Sequence, residues 1–157
     1  MRKRIVEPKS EPETSIHWPW LNLEEIADVE VTSEDSAHPV ENVFLPNGAG
    51  GWKASTTGPQ IIRLRFVAPE TVTRIHLQFS EKASERMQEF VLHYADESNP
   101  GLREIVRQQW TFSPQGSTIE VEDYQVNLQN VTMLQLTIDP DRGRNTSLAT
   151  LDRFWLA

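Results

Sequence analysis

The chain has no cysteine. No disulfide or thiolate-held metal can support its fold, and thiol usage gives no clue to its redox compartment. No stretch approaches the roughly 18 consecutive apolar residues that a membrane-spanning helix needs. Positive charge is scarce: 15 Lys and Arg face 23 Asp and Glu, for a formal net charge of −8. Nucleic acids and anionic membranes are bound by clustered cations that displace counterions, so neither is the expected partner. A local basic patch would be the exception. The chain also lacks a phosphate-binding loop, a dinucleotide fingerprint and a Gly-x-Ser-x-Gly elbow. Its four histidines, His17, His38, His76 and His93, do not have metal-motif spacing. With no Cys nucleophile and no Ser/His/acid set, an enzyme is not expected.

What remains is a chain of 157 residues, 38% of them hydrophobic, long enough to bury a core of its own. The first 15 residues hold two prolines and seven charged side chains. We expect an N-terminal arm over 1–20, partly disordered, and one domain over 21–157. The basic start is followed by no apolar segment, so it is not a secretory signal, and a cytoplasmic location is expected. Trp18 and Trp20 around Pro19 are either an exposed aromatic clamp or a lock that holds the arm to the domain. Burial statistics favour the lock.

From residue 26 onward the pattern is that of strands. Alternation over 26–31 marks the first. Ile62, Leu64 and Phe66 lie on one face of the second, and Ile75, Leu77 and Phe79 on one face of the third. Phe90, Leu92 and Tyr94 define the fourth, and residues 102–112 the fifth. Residues 119–126, 131–138 and 148–156 complete a set of eight. Turn signals such as Asp96–Gly101 and Ser113-Pro114-Gln115-Gly116 separate them. Many short strands at even spacing indicate an all-β, eight-stranded antiparallel sandwich or barrel.

The stretch from 32 to 66 is different. It is too long for an ordinary connection and too apolar for a free linker, with Val40, Val43, Phe44, Leu45 and Trp52. A short helix fits residues 36–44, with Pro39 in its first turn, where a missing N–H costs nothing. The glycines at 48, 50 and 51 then force a tight turn.

In order and spacing, these pieces resemble the discoidin family, also called coagulation factor five/eight type C, among the galactose-binding-like jelly rolls. The resemblance is carried by the turn and short helix after the first strand, by Gly51-Trp52-Lys53-Ala54-Ser55, by Gln60-Ile61-Ile62-Arg63-Leu64-Arg65-Phe66, by Glu89-Phe90-Val91-Leu92-His93-Tyr94 and by Ser147-Leu148-Ala149-Thr150-Leu151-Asp152-Arg153-Phe154. It covers about residues 26–157. It implies a jelly-roll β-sandwich akin to many carbohydrate-binding modules. It also implies, in many relatives, a structural calcium held by the glycine loop and an acid in the last strand. Here Asn47 stands where a loop acid would be, and the strand acid falls on Arg153, with Asp152 one residue off. We therefore expect no cofactor, and Arg153 in place of the cation's charge.

Antiparallel connection puts the loops after the first, third, fifth and seventh strands at one end: residues 33–57, 80–86, 112–118 and 139–147. Binding residues concentrate in long polar loops on a rigid scaffold, and the resemblance implies ligands at this end. The candidates are His38, Trp52, Lys53, Arg86, Arg142, Arg144 and Asn145. A sugar presents a C–H face to an aromatic ring and hydroxyls to planar polar groups. Trp52 is either such a ring or a plug under the glycine turn. Arg142 and Arg144 are either solvated surface charge, or pair with Asp139 and Asp141, or hold an anionic sugar or a partner's carboxylate. The expected function is non-catalytic recognition of a carbohydrate or glycoconjugate. The alternative is a protein–protein adaptor on the same scaffold.

Overall fold

A computed structural model describes residues 19–47 and 50–157. Eight strands are present: β1 (Ala27–Val31), β2 (Trp52–Lys53), β3 (Gln60–Ser80), β4 (Arg86–Asp96), β5 (Asn99–Phe112), β6 (Ile119–Asp139), β7 (Thr150–Leu151) and β8 (Arg153–Leu156). Among the described residues, helix is limited to one turn at Leu23–Ile26 and a 3₁₀ segment at Val40–Phe44. Pro39 caps that segment in an extended conformation, so the helix expected over 36–44 is shorter and tighter.

Two pairs of expected strands are single strands. β3 and β6 each run for 21 residues and serve both layers. The first half of β3 pairs antiparallel with β1 and with the second half of β6, which in turn pairs with β4, and β4 with β5. The second half of β3 pairs with β8 and with the first half of β6. The register shifts between Arg65 and Arg74, around Pro69. There the inward residues switch from even (Ile62, Leu64, Phe66) to odd (Ile75, Leu77, Phe79), all buried. Such bulges bend a strand without ending it. Pro69 is exposed at this bend, where a missing N–H breaks no central ladder. β6 bends near Asn130, whose φ of 55° is one that Asn tolerates.

The halves face each other across the core, with Phe79 stacked on Phe90 at 5.2 Å between centroids. Phe44 of the 3₁₀ segment meets Phe154 of β8 at 6.0 Å, so the long connection closes one flank of the sandwich. This is the antiparallel jelly-roll sandwich the pattern indicated.

The arm's residues up to 18, Trp18 included, lie outside the described residues. Trp20 packs on the outer face of the second layer, 5.5 Å from Trp155 and 5.7 Å from His76. Arg74 lies 4.5 Å over its ring, and the Leu21 N–H donates to the Leu156 carbonyl at 2.7 Å. Trp20 thus acts as a lock. Asp123 fastens this face, accepting bonds from Arg74 at 2.8 and 2.9 Å and contacting His76 at 2.9 Å. The Arg74 guanidinium holds the Asp123 carboxyl down at about 2.

Candidate functional site

The four long loops do meet at one end. The Glu81 N–H donates to Thr118 O at 2.9 Å, Arg142 N–H to Met87 O at 2.8 Å, Gly58 N–H to Ser147 O at 3.1 Å and Ala54 N–H to Ala149 O at 2.9 Å. The opposite end carries the shorter connections, joined by Glu97 N–H to Asn130 O at 3.0 Å.

Trp52 organises the first loop, and its candidacy as a stacking ring is corrected. It is 1% exposed, and its Nε1 donates to Ser33 O at 3.0 Å. Trp52 is the plug: it stands opposite Leu151 where β2 pairs with β7, and both side chains are buried there. Gly51, at φ 60°, passes so close that an added Cβ would lie 2.6 Å from Leu151 O. Gln60, 3% exposed, ties the loop's ends together. Its Oε1 accepts from Thr32 at 2.6 Å and Ser33 at 2.8 Å, and its Nε2 donates to Thr56 O at 3.1 Å.

Arg86 is also corrected from ligand contact to clamp. It is 2% exposed. Its guanidinium donates to Glu81 at 2.8 Å, Gln88 at 3.1 Å, Pro140 O at 2.9 Å and Thr150 at 3.2 Å, and lies 4.7 Å over Phe112. One side chain thereby joins two loops to β4, β5 and β7. Burial alone would raise the Glu81 carboxyl, but the Arg86 hydrogen bond and the Ala83 and Ser84 N–H groups outweigh it and hold Glu81 below its ordinary value. Beneath the clamp, Gln88 Nε2 donates to Glu120 at 3.0 Å. Burial, then contact with Glu122, pushes Glu120 up to about 9, so it is a neutral acid at pH 7.

The other candidates stay at the surface. His38 contacts Asp35 at 2.7 Å, and its carbonyl accepts the Lys53 N–H at 3.3 Å, which brings His38 and Lys53 together. Arg144 and Asn145 line a small cleft of about 290 Å³ with Pro59 and Asp139. Asn145 packs on Gly58, whose added Cβ would lie 2.6 Å from its Oδ1. Of the readings open for Arg142 and Arg144, pairing with Asp139 and Asp141 does not occur among the described residues. Asp141 instead accepts the Met87 N–H at 3.1 Å.

A larger groove of about 580 Å³ lies between the 80–86 and 146–150 segments. Lys53, Ser80, Glu81, Lys82, Ala83, Ser84, Thr146, Ser147, Leu148 and Thr150 line it. Sequence reasoning named both loops but passed over Lys82, Ser84, Thr146 and Ser147. Nothing in their spacing distinguishes them. Only position in a long loop at the binding end could have flagged them.

The calcium site that the resemblance implies is not built by the residues described. Asp152 lies against the turn, 3.2 Å from an added Gly51 Cβ, and the Gly51 carbonyl already accepts Asn42 Nδ2 at 2.9 Å. Residues 48 and 49 of the glycine loop lie outside the described residues. No group of three His, Cys, Asp or Glu converges among the described residues. Arg153 is no stand-in for the cation, because its guanidinium lies 4.6 Å over Trp155 on the outer face of the second layer.

Comparison with known proteins gives the fold a class. Solved structures similar to this chain are galactose-binding-like carbohydrate-binding modules. A family 32 module of AlyQ, solved with 4,5-unsaturated mannuronic acid, superposes with a TM-score of 0.58 at 17% identity, covering 84% of this chain and 95% of that one. A pectin-binding module gives 0.54 at 17% identity, with 83% and 89% covered. The family 32 module of Clostridium perfringens NanJ, solved with galactose, gives 0.59 at 11% identity, with 87% and 96% covered. Other similar structures form part of enzymes, among them a Ruminococcus gnavus fucosidase and an alginate lyase. No family model and no curated protein matches the chain. At these identities the likeness carries the fold.

Proposed function

We propose that the protein is a non-catalytic carbohydrate-binding module that takes a glycan at the long-loop end. One observation carries the reading: the open groove of about 580 Å³ between the 80–86 and 146–150 segments. Its lining carries hydroxyl and ammonium groups, the donors and acceptors that sugar hydroxyls need, beside the apolar surface of Leu148 and Ala83, on a frame held by Arg86 and Gln60. The similar modules solved with mannuronate or galactose, and the pectin-binding module, support it. The buried guanidinium at this end, Arg86, and the neutral Glu120 beneath it are engaged in holding the loops, which supports a binding role over a catalytic one.

Affinity electrophoresis in gels containing soluble polysaccharides, together with a glycan array, tests the proposal. Retardation by at least one glycan, reversed by free oligosaccharide, is expected. No retention by any glycan would overturn it.

A further inference from the structure

The charge of the groove allows a narrower statement. Glu81 is the one acidic residue lining it, and both of its oxygens are occupied: Oε1 by Arg86 at 2.8 Å, Oε2 by the Ala83 and Ser84 N–H groups at 3.1 and 3.3 Å. Its negative charge is balanced by the buried guanidinium behind it. Lys53 and Lys82 reach the same groove from different loops. Their side chains form no ion pair or hydrogen bond among the described residues. On a chain of net charge −8, two lysines lining one groove, one of which also acts on the nearby Asp35 carboxylate, are a local concentration of positive charge.

What the lining lacks matters as much. None of its residues is aromatic, and the nearest ring in sequence, Trp52, is buried. A neutral sugar bound by stacking its C–H face on a ring would find no ring here. The apolar surface on offer is Leu148 and Ala83, with the hydroxyls of Ser84, Thr146 and Ser147 around them. Binding strength must therefore come from charge-assisted hydrogen bonds, the stronger kind.

Resting on the carbohydrate-binding reading above, we infer that the groove's ligand is an acidic glycan, a uronic-acid-containing chain whose carboxylate is received by Lys53 and Lys82. The ring hydroxyls pair with Ser84, Thr146 and Ser147, and the sugar's apolar face rests on Leu148.

Isothermal titration with a short oligogalacturonate and with its methyl-esterified form tests this. The two share every hydroxyl and differ in the carboxylate charge. The acidic oligomer is expected to bind, the ester to bind at least about tenfold more weakly, and the affinity for the acid to fall with added salt. Lys53→Ala and Lys82→Ala should each lower affinity about tenfold, the size of one charge-assisted hydrogen bond, with melting temperature unchanged because neither side chain holds a loop. Equal binding of acid and ester, or affinity unaffected by both lysine substitutions, would overturn the acidic-glycan assignment. If a neutral glycan still binds in that case, the carbohydrate-binding proposal stands. If no glycan of either kind binds, both fall.

Discussion

At the scale of single residues, tryptophan and glycine do structural work at the end where a ligand is expected. Trp52 fills the space under the glycine turn and donates to the Ser33 carbonyl. Trp52→Ala should lower the unfolding free energy by about 3–5 kcal/mol, measured by urea denaturation. A value within error of the parent would mean the ring is not a plug. Gly51→Ala should cost about 1–3 kcal/mol in the same experiment, since Ala takes φ near 60° poorly and its Cβ would press on Leu151 O. The sequence left Trp52 between ring platform and plug. Residue type and an adjacent glycine fit both. The side the indole faces depends on β7, which lies about a hundred residues further along the chain and pairs with β2.

At the scale of elements, the loop end is held by one buried cation. Arg86 stands at the first position of β4 and reaches the 80–86 loop, the loop after β6 and Thr150 of β7. Arg86→Met keeps much of the volume but leaves the Glu81 carboxylate and the Pro140 carbonyl without their donor. A loss toward the lower end of about 3–5 kcal/mol is expected, because Glu81 is only partly buried. Oligogalacturonate affinity should fall as well, since both walls of the groove depend on the clamp. Arg86→Lys should not rescue it, because an ammonium cannot fork to four acceptors. Unchanged affinity in Arg86→Met would show that the groove's shape does not depend on the clamp. The strands themselves were largely legible. Alternation located the apolar faces of both halves of β3 and of β4, but did not mark β2, while Pro69 and Asn127–Asn130 read as breaks. The structure carries the chain through both as bends, because a bulge shifts the register without giving up the ladder on either side.

At the scale of the whole molecule, stability should depend on pH in two opposite ways. Asp96 and Asp123 sit at about 2 in the folded protein, Asp96 chiefly through Arg103 and Asp123 chiefly through Arg74, below their ordinary 3.8. A lowered carboxyl contributes stability above its unfolded pKa and loses it as pH falls toward the folded one, so melting temperature should drop between about pH 4 and 2. Glu120 has the reverse sign. Its folded value of about 9 exceeds the ordinary 4.5, so its contribution is complete below about pH 4.5 and declines as pH rises toward 9. Melting curves across this range should show a maximum on the acidic side of neutral. Glu120→Gln should raise melting temperature at pH 8 and change little at pH 4. A rise of equal size at both would separate the effect from ionisation. Asp123→Asn should show its loss at pH 7 and converge with the parent near pH 2.

The sequence by itself determined the all-β class, the alternating core faces, the two-ended distribution of loops and the length of the 33–57 connection. Each follows from local chemistry: side-chain period, turn residues, and the reversal of direction at every antiparallel connection. Tertiary structure alone decided that Trp52 and Arg86 are interior. It also brought Lys53 and Lys82 to one groove and paired Glu81 there with Arg86. Those outcomes arise from contacts between segments far apart in the chain, such as β3 with β6 and the 80–86 loop with Thr150. Periodicity within one segment carries no information about which distant segment it will meet.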